Sequence, residues 1–208
     1  MGASIGGKRI YLASRSPRRR ELLAQIGVGF ELLLLREDPL RGADVDETPH
    51  PGEAPDAYVT RISLAKAETG WLRVQQRRLP AYPVLAADTA VVLGERIMGK
   101  PSGPDEAMEM LAALSGKTHQ VLTAVAVSSG GRVKQKLSAS SVEFAPLAKP
   151  TIRRYTMSGE PLDKAGAYAV QGRAAAFIEK IEGSYSGVMG LPLYETTQLL
   201  MTFGIEVI

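Results

Sequence analysis

The chain has 208 residues, 45% of them hydrophobic and 23% charged, the balance of a folded globular protein, which excludes a disordered, collagen-like or membrane-bundle chain. It holds no cysteine, so disulfide frameworks, thiolate zinc sites and cysteine nucleophiles are excluded, and the expected compartment is the cytoplasm. Its 25 basic and 22 acidic residues leave a net charge of +3, too mild to name nucleic acid or a membrane as partner.

No apolar run approaches the roughly 18 residues of a membrane span. Lys8 and Arg9 precede too few apolar residues for a secretory signal. Residues 1–8 are therefore read as a loose leader to one domain occupying 1–208.

In chain order, Arg9 to Ala13 reads as a strand. Ser16-Pro17 then opens a helix, serine as N-cap and proline first, with Leu22, Leu23 and Ile26 inward and Gly27 as its stop. Glu53 to Gly70 is predicted as a second helix, with Tyr58, Val59, Ile62 and Ala65 at helical spacing. Pro83 to Leu93 is almost continuously apolar, the pattern of a strand covered on both faces near the centre of a sheet, and Gly94-Glu95 with Arg96 to Met98 suggests a hairpin return.

A helix is expected over Asp105 to Leu114, then strands over Val121 to Val127 and Val133 to Phe144 joined at Ser129-Gly130-Gly131. A short helix follows around Ile152 to Met157. Strands are predicted at Tyr168 to Val170 and Phe177 to Ile181, then a glycine-rich turn, a helix from Pro192 to Phe203 and a last short strand at Ile205 to Ile208. Arg36 to Pro55 and Gln75 to Pro83 read as loops. Strands and helices alternate with hairpins inserted, so the expected class is α/β with a mixed sheet.

Three features break local rules. The segment Ser14-Arg15-Ser16-Pro17-Arg18-Arg19-Arg20 places arginines in the first turn of a helix, where the macrodipole favours acids; either this is a solvated basic face or an anion is held there. Asp88 interrupts the buried apolar strand, and an unpaired carboxylate there costs several kcal/mol, so it requires a cationic side chain, backbone donors or a metal. Lys66 falls on the apolar face of its helix, four residues after Ile62, and either meets a buried anion or snorkels to water.

Other signals are weaker. Lys100 and Lys164 stand in turn-like settings near strands, the acidic run Asp44 to Glu47 could lend Glu47 to a hard cation beside Asp88, and Gln171 offers an amide able to read a base edge. Ser115-Gly116-Lys117-Thr118 lacks the leading glycine of a phosphate-binding P-loop, with Leu111 in its place, and follows a helix instead of opening one. His50 and His119 have no metal-ligand spacing, and no nucleophile elbow is present. The basic residues form no aromatic-interleaved stripe of the kind nucleic-acid binders use.

Together, Ser14-Arg15-Ser16-Pro17-Arg18-Arg19, Asp44-Val45-Asp46-Glu47-Thr48, Ala87-Asp88-Thr89, Gly99-Lys100-Pro101, Ser115-Gly116-Lys117-Thr118-His119 and Asp163-Lys164-Ala165-Gly166-Ala167-Tyr168 resemble the Maf-type nucleoside triphosphate pyrophosphatases, from about Arg9 to Phe203. The resemblance implies a mixed twisted sheet flanked by helices, two lobes around a central cleft as in Maf/ITPase-like folds, and a homodimer. It also implies cleavage between the α and β phosphates of a nucleoside triphosphate with a divalent cation, Mg²⁺ or Mn²⁺.

By motif position Asp88 matches the family's catalytic aspartate, and Arg18, Thr89 and Gln171 match positions tied to substrate choice. Glu47 and Asp88 would share the metal. Ser14, Ser16, Arg19, Lys66, Lys100 and Lys164 would hold phosphates. Tyr168-Ala169-Val170-Gln171-Gly172 resembles the branch acting on dTTP and UTP, or on modified pyrimidine nucleotides; the alternatives are a 7-methyl-GTP pyrophosphatase and a non-catalytic nucleotide-binding regulator of septum formation.

Overall fold

The computed structural model describes residues 9–38 and 42–207. The elements are β1 (Ile10–Leu12), α1 (Pro17–Gln25), β2 (Phe30–Leu32), β3 (Glu37–Asp38), β4 (Gly42–Ala43), α2 (Pro55–Gln76), β5 (Val84–Leu93), β6 (Arg96–Met98), α3 (Pro104–Leu114), β7 (Thr118–Ser129), β8 (Arg132–Phe144), α4 (Lys149–Thr156), β9 (Ile178–Glu182), α5 (Tyr185–Met189) and α6 (Leu193–Thr202). The main sheet runs β2-β1-β5-β7-β8-β9, with β6 also on β5. β1 lies parallel to β2 and β5, and the remaining pairs are antiparallel, so the sheet is mixed as the alternation of patterns predicts.

β5 places alternate residues on opposite faces of the sheet. Leu85 and Ala87, with Ile10 and Leu12 of β1, pack against α1 and α6. Further along that face Val91 joins a cluster built on α3 and α4. Thr89 falls between the two, so one face carries two lobes with a gap. On the opposite face Val84, Ala86, Ala90 and Val92 lie under α2.

The same edge of β5 is interrupted too. β1 pairs with it only as far as Leu85, and β6 only from Val91 onward, while β7 covers the other edge from Val84 to Val92. From Ala86 to Ala90 no strand covers that edge among the described residues. The chain leaves β1 toward β2 on one side and later returns as β5 on the other, and such a reversal leaves a crevice at the carboxyl end of β1.

Several expectations are corrected. Gly70 does not end α2; it lies buried mid-helix, where an added Cβ would sit 2.7 Å from Val84 Cγ1, so glycine is there to let helix and sheet approach, and the helix runs on to Gln76. Tyr168 to Val170 form no strand, because the chain turns at Ala169–Gly172 through an Ala169 carbonyl to Gly172 N–H bond of 3.0 Å. The glycine-rich turn contains α5, capped by Ser184 Oγ accepting from Gly187 N–H at 3.0 Å. Residues 205–207 form no strand, and 208 and the leader 1–8 lie outside the described residues. Within Arg36 to Pro55, β3 and β4 form a small hairpin.

Candidate active site

The gap beside β5 is the mouth of a cavity of about 430 Å³. β5 has two faces, and the cavity wraps round its uncovered edge, so the neighbours Asp88 and Thr89 both line it although they point to opposite sides. Ser14, Ser16, Arg18, Arg19, Glu47, Lys66, Lys100, Lys164 and Gln171 line it as well, which brings every residue singled out from the sequence to one opening.

On the α2 side, Lys66 does not snorkel. Its ammonium donates to Asp88 Oδ1 at 2.8 Å and meets Glu47 Oε1 at 3.0 Å, with the Lys66 side chain 15% exposed, Asp88 11% and Glu47 46%. The buried carboxylate thus has its cationic partner, and the opening lies beside the pair. Asp88 Oδ2 has no protein donor among the described residues.

Glu47 is held there through its backbone. Arg61 grips Glu53 with bonds of 2.6 and 2.7 Å and donates to the carbonyls of Asp46 and Thr48 at 3.4 and 3.1 Å, while Tyr58 Oη donates to the carbonyl of Glu47 at 3.0 Å. Burial, then the charges of Asp88 and Glu47, push the Tyr58 hydroxyl up to about 12, so it stays a donor. Asp44 anchors the start of the loop by accepting from Arg73 Nη2 at 2.6 Å and from the Arg36 amide at 2.9 Å.

On the α1 side, Ser16 occupies the N-cap but its side chain caps nothing, and Pro17 brings no N–H, so the next amides of the first turn are left for a ligand. Ser14 Oγ instead accepts from the Ser16 amide at 3.2 Å. Arg19 ties the parts together: Nε donates to the Gly190 carbonyl at 2.7 Å, Nη1 to Ser14 Oγ at 3.3 Å and Nη2 to Thr89 Oγ1 at 3.2 Å. Burial lowers the Arg19 pKa and the Asp88 charge opposes that shift. Thr89 also receives Thr123 Oγ1 at 3.0 Å. Arg18 and Lys100, by contrast, have no hydrogen-bond or ion-pair partner among the described residues, and Lys164 pairs with its neighbour Asp163.

The sequence reading missed Arg15, Arg36 and Asp163 as members of this lining. Arg36 carries no local signal, since it enters from the far side of the acidic loop. With them the cavity holds seven cationic side chains, Arg15, Arg18, Arg19, Arg36, Lys66, Lys100 and Lys164, against three acids, Glu47, Asp88 and Asp163. Such a surplus in a walled cleft focuses a positive field on a polyanion. No group of three His, Asp or Glu side chains among the described residues could hold a metal by itself. Glu47 and Asp88 offer hard oxygens, a set that suits a divalent cation whose shell is completed by substrate oxygens and water.

Fold and cleft together define an α/β protein with a phosphate-receptive crevice at a strand switch point. The chain belongs to the family described as Maf-like protein, whose model matches residues 9–203. It is 59% identical to a dTTP/UTP pyrophosphatase of Aromatoleum aromaticum over 94% of this chain and 96% of that one. It is likewise 59% identical to a dTTP/UTP pyrophosphatase of Nitrosomonas europaea, over 97% of each chain, and 58% identical to one of Nitrosospira multiformis, over 96% of each. Among solved structures the Ham1 protein of Staphylococcus aureus is similar at 14% identity and a TM-score of 0.48, over 94% of this chain and 97% of that one.

Proposed function

We propose that the chain hydrolyses dTTP and UTP to the monophosphate and pyrophosphate. The observation that carries this reading is the convergence of seven cations on one cleft whose floor holds Asp88, with Gln171 at the rim. The relatives named above support the pyrimidine substrates over 7-methyl-GTP and over a purely regulatory role.

In the proposed reaction the oxygen of a water forms a bond to the α-phosphorus as the bond from that phosphorus to the bridging oxygen of the β-phosphate breaks. Asp88, through the oxygen not engaged by Lys66, orients the water and takes its proton. The departing pyrophosphate leaves with the bonding electron pair, its charge met by Lys100, Lys164 and Arg18, with Ser14, Ser16 and the first-turn amides of α1 as further phosphate donors. Glu47 and Asp88 would hold Mg²⁺ or Mn²⁺, which would supply the positive charge that screens the phosphates against the repulsion of an attacking water. At the rim, the Gln171 amide both donates and accepts, matching the acceptor and N–H edge of uracil or thymine. Arg18 and Thr89 shape the same selection.

A nucleotide panel with pyrophosphate detection, with and without magnesium, tests the reading. UTP and dTTP are expected to lead, and Asp88→Asn is expected to keep its fold and lose about 10²- to 10⁴-fold in turnover, the range of a general base. Near-normal turnover by that variant removes Asp88 from the role. We further propose a cytoplasmic homodimer, which sedimentation of the purified chain tests.

A further inference from the structure

Gln171 has no hydrogen-bond partner of its own among the described residues and stands third in the Ala169–Gly172 turn at the rim of the cleft. A long amide side chain on a free turn would sample many directions, and base reading requires it to be aimed. Both ends of the turn are fastened to one small network. The Ala169 amide donates to Tyr155 Oη at 3.3 Å, Tyr155 Oη donates to Glu160 Oε1 at 2.9 Å, and Glu160 Oε2 accepts from the Arg173 amide at 3.2 Å.

Tyr155 is 4% exposed and packs edge-on to Phe177 with ring centroids 5.1 Å apart, so the anchor is itself immobile. The carboxylate fills the space over Gly172: a Cβ there would fall 2.2 Å from Glu160 Oε1. Glycine at 172 is therefore the seat of the carboxylate, and Gln171 is bracketed by two backbone N–H groups that lead to the same acid.

We propose that Glu160, together with Tyr155, is the positioning residue for substrate selection: it fixes the Gln171 turn so that the amide faces the nucleobase. This rests on the proposed reading of Gln171 as the base reader. Glu160 makes no contact with Asp88 or Lys66, so its loss acts on base selection and leaves the phosphate chemistry in place.

The test is steady-state kinetics on UTP, dTTP, CTP and GTP for wild type, Glu160→Gln, Tyr155→Phe and Gln171→Ala, and for Glu160→Gln combined with Gln171→Ala. Glu160→Gln keeps shape but replaces one accepting oxygen with a donor, and Tyr155→Phe removes the hydroxyl alone. The expected result is a KM for the preferred nucleotide raised about tenfold with kcat within twofold, a correspondingly narrowed ratio over the poorest nucleotide, and little further change when Glu160→Gln is added to Gln171→Ala. A lower melting temperature with unchanged KM ratios, a fall in kcat at unchanged KM, or additive losses in the double variant would each overturn the assignment. A wild type that prefers a base other than uracil or thymine defeats the pyrimidine reading, yet the clip still predicts that its preference collapses in the variants. Absence of pyrophosphate release from every nucleotide overturns both.

Discussion

The floor of the cleft and its rim are built differently. The floor residues Asp88 and Lys66 stand on β5 and α2, a buried ten-residue strand and a 22-residue helix, and their bond lies within the packed contact between those elements. The rim residues Glu47, Lys100, Lys164 and Gln171 stand outside the helices and long strands; Glu47 and the Gln171 turn are held by ties to residues remote in sequence, while Lys164 pairs with its neighbour Asp163 and Lys100 has no side-chain partner among the described residues. The carboxylate proposed to react is therefore placed by the same packing that folds the chain, whereas Glu47 and the Gln171 turn are placed by separate clips that can change without unfolding it.

The largest effect is expected at the floor. Lys66→Met leaves Glu47 and Asp88 facing each other with no ammonium between, so pyrophosphate release should fall at least about 100-fold and stability by roughly 2 to 3 kcal/mol, read by the same assay and by denaturant melts. An unchanged melting curve would mean that the floor is not coupled to the fold.

The next effect lies behind the rim. His119 is 2% exposed, its Nε2 pairs with Tyr168 Oη at 2.9 Å, and burial holds its pKa at about 4 against the ordinary 6.5. Between those values the unfolded chain binds a proton that the folded one refuses, so stability should drop by about 3 kcal/mol as pH falls from 6.5 to 4 and level off for this group below that. His119→Phe should flatten that part of the stability profile.

A smaller change is expected for Gly70→Ala. Its Cβ would press on Val84 and push α2 from β5, costing about 2 kcal/mol and stretching the Lys66 to Asp88 contact, so stability and turnover should fall together. The smallest is Lys100→Ala at the rim, where an exposed, unpaired cation is removed. kcat/KM should fall about tenfold with the melting temperature unchanged, and a large stability loss would erase the distinction between the two regions.

Much of the floor was legible in the sequence. A single acid inside an apolar run can only be a partnered carboxylate, and the i, i+4 spacing of Ile62 and Lys66 turns that lysine inward. The mixed sheet followed from the alternation of strand and helix patterns. What was not legible depends on contacts remote in sequence. Gly70 looks like a helix stop until Val84 is known to press against it, and Tyr168 to Val170 look like a strand until Tyr155 and Glu160 bend the segment. Arg61 and Glu160 carry no motif because each acts on backbone groups, which leave no signature in residue type. Ser16 has the residue type of a cap without the bond, and its own amide donates to Ser14 Oγ.

The brevity of β1 has its own consequence. With β1 ending at Leu12 opposite Leu85 and β6 ending at Met98 opposite Val91, five residues of a neighbouring strand are missing beside β5, an omission of about 16 Å along the strand direction. The cleft is thus a notch cut from the sheet and not a hollow between finished layers. Lengthening β1 by a single hairpin-sized insertion would seal it, so strand length is the dimension along which this architecture could be opened to larger ligands or closed into an inert scaffold.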